Sequence, residues 1–363
     1  MRLSICIPTH NGRGKFLKEA IDSILPQITP PLREQVQICI SDNASEDETQ
    51  TLIADYNCSF PGVLLYRRNS ENLGFTRNLM RAISLAEGDY CWMFSSDDTL
   101  PSQALARILA LLEKHPNLTG MTVNVQSHDN QMNPLGKGAY LASLMPENPK
   151  QMQIFTSPDQ IFRNCGSVQG YTSGQIFDRR LWQESVADMS EEKFVSFHYF
   201  PYLYTFGCMV KKRPSWMWIP EYLVNNRTNN DYLSIHMNMN ALKYHTLTME
   251  EASRVWADLF GRLSATYQIL MYDNFINFWA GRNLIYYKGL YVCTTTDEVK
   301  ALIWFVRRMY FAPRFWLTAF PVLLTPRLIL RAGVAILLKL GYKRKTPIRQ
   351  IVSESPTTGD AVF

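Results

Sequence analysis

Apolar positions in the first 130 residues recur with two alternating periods. Leu3–Pro8 is a short, nearly continuous apolar run, the pattern of a strand covered on both faces. Phe16, Leu17, Ala20, Ile21, Ile24 and Leu25 then fall on one face of a helix. Val36–Ser41 predicts a second strand. A polar helical segment carrying Leu52, Ile53 and Tyr56 follows it, with Ser45 and Glu48 spaced as a capping box. Val63–Tyr66 predicts a third strand, 72–86 a helix, Tyr90–Phe94 a fourth strand, and then a helix with Pro101 near its start, running to about Lys114. Thr119–Val125 is the fifth strand. Such alternation with short links predicts βαβ units, hence an α/β fold with a mainly parallel sheet flanked by helices. In sheets of that kind ligands bind beyond the carboxyl ends of the strands.

Beyond residue 128 the pattern loosens. Residues 128–155 mix Asn, Gly, Pro and Met and read as loop. Gly174–Phe177 predicts a short strand feeding a helix at Arg179–Glu184. From Thr248 the spacing of Val255, Leu259, Leu263, Tyr267 and Leu270 is helical, and a further helix is expected over Asp297–Phe311. The expected organisation is one α/β domain over 1–245 and a helical region over 246–363.

Composition narrows the class. The 363 residues accommodate two domains; 46% hydrophobic and 19% charged residues fit a folded chain and exclude a disordered one. The seven cysteines are scattered and form no CxxC pair, so neither a disulfide framework nor a zinc site is expected, and a reducing compartment fits. A strand beginning at Leu3 leaves no room for a signal peptide. The best candidate span, Phe315–Pro326, is twelve residues with two prolines, too short to cross a membrane.

The net charge is +5, but it is unevenly spread. Residues 301–353 hold ten Lys/Arg and no Asp or Glu, whereas residues 1–300 carry a net −3. A uniformly basic nucleic-acid binder is not patterned this way. In the basic stretch, Trp304, Phe305, Tyr310, Phe311, Phe315 and Trp316 cluster with aliphatics and are not interleaved for base stacking. Aromatics with Lys/Arg and no acids suit an anionic membrane surface, so residues 301–350 are expected to associate with one; a basic helical subdomain packed on the rest of the chain, or an RNA-binding face, is the alternative.

Candidate chemistry sits at the strand ends. Pro8-Thr9-His10-Asn11 follows the first strand, Ser41-Asp42-Asn43-Ala44-Ser45-Glu46-Asp47 the second, and Ser95-Ser96-Asp97-Asp98 the fourth; the third leads through Arg67 and Arg68 to Asn69 and Asn72-Leu73-Gly74. One such cluster is ordinary turn or cap chemistry. Several on one rim supply carboxylates, amides and hydroxyls suited to a base edge, a ribose and a metal-bound diphosphate.

In order and spacing over about 120 residues, these segments resemble the family 2 glycosyltransferases of GT-A (Rossmann-like) fold. His10 replaces the usual Tyr, and Ser95 stands where many members carry a first Asp. The resemblance implies a nucleotide-sugar pocket lined by Pro8, Thr9, Asn11, Asp42, Asn43, Asn72, Gly74, Asn78, Ser96 and Asp97, with Asp97 and Asp98 facing ribose and a divalent cation, Mn²⁺ or Mg²⁺. The stretch Gly170–Trp182, with Tyr199–Tyr204 and Pro220–Asn230, is similar to the abequosyltransferase-like branch, whose members add a deoxyhexose during O-antigen assembly.

The family inverts at the anomeric carbon and uses a carboxylate as general base. At the corresponding distance stands His198; Glu191-Glu192 is an acidic pair slightly earlier, and the two alternatives remain open. The expected partners are a nucleoside-diphosphate sugar, a lipid-linked glycan acceptor and the inner face of the cell membrane, on which a cytoplasmic protein would sit peripherally, with no nucleic acid. A nucleotidyltransferase and a non-catalytic binder of sugar nucleotide or membrane are the rival readings. Against the first, Gly12-Arg13-Gly14 is too short for a glycine-rich phosphate loop.

Overall fold

The structure is a computed structural model that describes residues 2–139, 150–166, 168–190, 192–193, 196, 201–227, 241–271, 284–285, 288–289 and 294–339. The chain divides into two compact units, Met1–Thr228 and Asn229–Phe363.

Among the described residues the first unit is built on nine strands: β1 (Leu3–Thr9), β2 (Val36–Asp42), β3 (Leu64–Arg68), β4 (Tyr90–Met93), β5 (Gly120–His128), β6 (Pro134–Ala139), β7 (Gln153–Phe155), β8 (Gln175–Asp178) and β9 (Trp216–Arg227). Their order is β3-β2-β1-β4-β8-β5-β9-β7, with β6 on β5. The half from β3 to β4 is wholly parallel, so four strands send their carboxyl ends to one rim. In the other half β8 runs antiparallel between β4 and β5, β5 and β9 are parallel, and β6 and β7 are antiparallel. The sheet is therefore mixed but mainly parallel in sense: among the described strands β1 to β5 and β9 run one way, and β6, β7 and β8 run against them. Period and burial reveal a strand but not its direction, so the antiparallel insertion of β8 left no mark in the sequence.

Helices α1 (Gly14–Ile24), α2 (Thr49–Ser59), α3 (Gly74–Ser84) and α4 (Ala104–Lys114) make the expected links. Leu17, Ala20, Ile21 and Ile24 of α1 and Leu79, Ala82 and Ile83 of α3 are buried, which explains why β1 and β2 need apolar residues on both faces. Two starts differ from expectation. Ser45 and Glu48 form no capping box; Asp47 instead accepts from the Thr49 amide and hydroxyl. The last of these helices begins at Ala104, after Gln103 at φ 67°, not at Pro101.

Helices α5 (Pro158–Cys165) and α7 (Pro201–Lys212), absent from the periodicity reading, flank α6 (Arg179–Ala187). Phe206 of α7 packs at ring-centroid distances of 5.3–5.9 Å against Trp216, Phe177, Trp182 and Tyr202. Of the described aromatics in the stretch 194–218, Tyr202, Phe206, Trp216 and Trp218 are buried and build core, while Tyr204 is half-buried beneath Lys193.

The second unit is helical: α8 (Ala241–Phe260), α9 (Ala265–Ile269), α10 (Thr295–Met309), α11 (Pro313–Leu317), α12 (Ala319–Leu324) and α13 (Arg327–Lys339). Residue 245 falls inside α8, whereas the compact units part after Thr228. Thr294 and Asp297 form the capping box that opens α10. Trp304, Phe305, Phe315, Trp316 and Phe320 form an aromatic cluster, with Phe305 and Phe315 parallel and the other pairs edge-packed. Among the described residues no helix is long and apolar enough to cross a membrane.

Candidate active site

The carboxyl ends of β1, β2 and β4 converge because these strands are parallel and adjacent. Thr9 stands opposite Asp42 in the β1–β2 register, and both are buried. Asp42 Oδ1 accepts the Ser45 amide at 3.0 Å and Oδ2 accepts the Tyr66 hydroxyl at 2.6 Å. The charged neighbour and burial push the Tyr66 hydroxyl pKa up, burial being the larger cause. Asn78 ties three segments: its amide nitrogen donates to the Thr9 carbonyl at 3.0 Å, and its oxygen accepts Ser41 Oγ at 2.8 Å and Asn69 Nδ2 at 3.0 Å.

Asn43 continues the network. Its Oδ1 accepts the Leu73 amide at 2.8 Å and Asn69 Nδ2 at 3.3 Å, and its nitrogen donates to Asn72 Oδ1. Asn72 Oδ1 also accepts the Gly74 amide, and Gly74 takes φ 76°, a conformation open to glycine and costly for other residues. Asn11 Oδ1 accepts the Glu46 amide at 2.6 Å, and the Gly12 amide donates to Asp47 at 2.8 Å, so the loops after β1 and β2 are laced together. Pro8 is half-buried beside Ser41 in the register. The hydroxyls of Thr9 and Ser45 are buried and have no hydrogen-bond partner among the described residues. An unsatisfied buried hydroxyl is costly, which marks these two strand ends as places a polar ligand edge would relieve.

The β4 end is a second knot. Asp98 is buried; its Oδ2 accepts Tyr171 Oη and, at 2.6 Å, Ser173 Oγ, while Oδ1 accepts the Arg227 amide at 2.9 Å. Burial, and then the neighbouring Asp97 charge, push the Asp98 carboxyl up to about 7. Asp97 Oδ1 accepts Ser95 Oγ, and Oδ2 pairs with Arg13 at 3.1 Å; Arg13 also reaches Ser96 Oγ at 3.5 Å. The guanidinium of Arg227, wholly buried at the end of β9, donates to the Asp97 carbonyl at 2.9 Å, to the Asn130 carbonyl and to Glu19, and lies 4.8 Å over Phe16.

The profile of the family Glycosyl transferase family 2 matches residues 4–174. These residues are a family 2 glycosyltransferase domain. The glycosyltransferase domain has curated relatives. Abequosyltransferase RfbV of Salmonella typhimurium is 42% identical over 118 residues, 32% of this chain and 34% of that protein. The poly(ribitol-phosphate) beta-glucosyltransferase of Bacillus spizizenii is 33% identical over 109 residues, 30% of this chain and 16% of that protein. The alignments thus span about a third or less of these relatives' length. In fold, the chain is similar to the S. aureus TarS 1-349 crystal structure, with a TM-score of 0.60 and 14% identity over 94% of this chain and 92% of that one. The architecture is that of a GT-A glycosyltransferase.

Of the expected pocket residues, Thr9, Asp42, Asn43, Asn72, Gly74 and Asn78 lie in one hydrogen-bonded network; Asn11 is bonded to the Glu46 amide, Pro8 sits in the β1–β2 ladder, and Ser96 and Asp97 share Arg13. Of the base candidates, Glu191 and His198 lie outside the described residues; Glu192 is exposed. The sequence singles out neither Arg13, Glu19 nor Tyr66 for the site. Arg227 sits 129 residues from Asp98, a separation no local pattern bridges.

The expected cation fits poorly here. Mg²⁺ demands oxygen ligands at about 2.0–2.1 Å in octahedral array. Both oxygens of Asp98 already accept protein donors, and both of Asp97 are engaged by Ser95 and Arg13. A cation on this pair would displace Arg13 and break ties to Asp98, next to the two guanidiniums of Arg13 and Arg227. The residues present do not fit a resident divalent cation.

Proposed function

We propose that this protein moves a sugar, a deoxyhexose by its likeness to the abequosyltransferase, from a nucleoside diphosphate to a hydroxyl of a lipid-linked oligosaccharide in bacterial surface-polysaccharide assembly. The observation that carries the reading is the convergence, on one rim of the family 2 domain, of the polar ends of β1, β2 and β4. The buried, partnerless hydroxyls of Thr9 and Ser45 support a nucleotide edge between β1 and β2. The TarS structures with UDP and UDP-GlcNAc make those two compounds the first probes.

Chemically, the acceptor hydroxyl oxygen bonds to the anomeric carbon while the sugar–oxygen bond to the diphosphate breaks. The nucleoside diphosphate leaves with the bonding electrons, and a base takes the hydroxyl proton. Attack opposite the leaving group inverts the centre. General-base help is worth roughly 10²–10⁴-fold. The basic, aromatic helices α10–α13 support a peripheral site on the inner face of the cell membrane, where a lipid-linked acceptor resides.

Nucleoside diphosphate release from UDP-, CDP-, dTDP- and GDP-sugars, with lipid-linked glycan as acceptor, tests the reading. Release from one donor class, dependent on acceptor, is the expected result. No release and no thermal stabilisation by any donor would overturn it.

A further inference from the structure

The same strand ends hold a feature the family resemblance does not use. Arg13 stands in the loop after β1 as the residue before α1, and its guanidinium spans from that loop to the end of β4, pairing with Asp97 at 3.1 Å and reaching Ser96. It is mostly buried, with 18% of its side chain exposed. The neighbouring carboxylates are not in the state of vacant cation ligands. Asp98 is closed by Tyr171, Ser173 and the Arg227 amide, and those three bonds tie β4 to the loop before β8 and to β9.

We propose that the charge of the donor diphosphate is met by the Arg13 guanidinium, oriented by Asp97, in place of a divalent cation, and that Asp98 is a structural tie between strand ends. This deepens the sugar-nucleotide reading and rests on it. A guanidinium is permanently charged and presents five N–H donors in a planar fork, so one that holds a carboxylate suits phosphate oxygens as well. Its place at the start of α1 adds the positive end of a helix with no acidic residue in its first turn. When the sugar–oxygen bond breaks, the diphosphate gains negative charge, and a cation already fixed beside it stabilises that charge without reorganising. Arg227 cannot take this part, because its guanidinium is 1% exposed and its contacts go to Glu19 and to two backbone carbonyls.

The test uses the full chain, freed of metal with EDTA. UDP, CDP, dTDP and GDP are titrated by calorimetry in EDTA and again in Mn²⁺, each beside its nucleoside. The expected result is that the diphosphate which binds does so in EDTA within about threefold of its affinity in Mn²⁺. Arg13→Gln then weakens it at least tenfold, leaves the nucleoside unaffected, and melts with the parent; Arg13→Lys recovers part of the loss. Binding of a diphosphate only in Mn²⁺, or an unchanged affinity in Arg13→Gln, overturns the proposal and leaves the sugar-nucleotide reading standing. If Arg13→Gln melts early, the parent's comparison between EDTA and Mn²⁺ decides alone. Failure of all four diphosphates to bind in either buffer overturns the sugar-nucleotide reading itself.

Discussion

At the scale of single residues, most of the polar side chains at the strand ends face one another. Arg227 is the extreme case: its guanidinium joins β9 to α1 through Glu19 and to the loops after β4 and β5 through two carbonyls. Breaking a buried ion pair costs about 3–5 kcal/mol. Glu19 is 35% exposed and can turn to water, so Arg227→Met is expected to cost about 3 kcal/mol, the low end of that range, read as a lower urea midpoint at unchanged m-value. Asp47 gives a pH signature. Burial works against its charge, but hydrogen bonds from Thr49 and the Gly12 amide outweigh it and hold the carboxyl below its usual range. Its stabilisation is therefore fully present above the ordinary carboxylate pKa and is lost as pH falls through the depressed folded value. Asp47→Asn should flatten that acid limb: Tm of parent and variant converge as pH drops from roughly 5 to 2 and separate above it. Curves that stay parallel throughout would contradict this.

At the scale of elements, direction and close approach matter more than propensity. The first unit places β5 between β8 and β9, and Gly120 lets Trp216 lie across the start of β5. A methyl group at Gly120 would come within 2.5 Å of the Trp216 ring and 2.9 Å of the Ile176 carbonyl, and Trp216 is fully buried. Gly120→Ala is expected to cost about 1–3 kcal/mol, as overpacked cores do, measured by chemical denaturation. Periodicity revealed β1 to β5 and α1 to α4 because long apolar faces repeat there. It missed α5, whose eight residues bury only Ile161, Phe162 and Cys165 among apolar ones, although Ser157 and Pro158 are a legible start signal. It missed the sense of β8 because strand direction has no residue code.

At the scale of the whole chain, the asymmetry of charge is the main lead. The helical unit exposes Ile303, Tyr310, Trp316, Leu317, Leu328 and Ile329, and the stretch they belong to carries ten basic residues and no acid from 301 to 353. The membrane reading predicts co-sedimentation with vesicles containing anionic lipid, loss of binding as salt rises, and little binding to zwitterionic vesicles. Each basic residue near such a surface is worth about 1 kcal/mol, so Arg307→Glu with Arg331→Glu should weaken binding by more than tenfold. Equal binding to both kinds of vesicle would contradict it.

The sequence by itself determined the alternation of strand and helix over the first 125 residues and the order of the polar segments after β1, β2 and β4, because periodicity and turn chemistry are local properties. It also carried the segregation of charge. Only the tertiary structure decided what those polar residues touch. Arg13 meets Asp97 84 positions away in the chain, and Asp98 is closed by Tyr171, Ser173 and Arg227, because the sheet order β1-β4-β8-β5-β9 brings distant strand ends to one place. A carboxylate's availability depends on the donors around it in space, and those donors are set by topology, not by the neighbouring letters of the sequence.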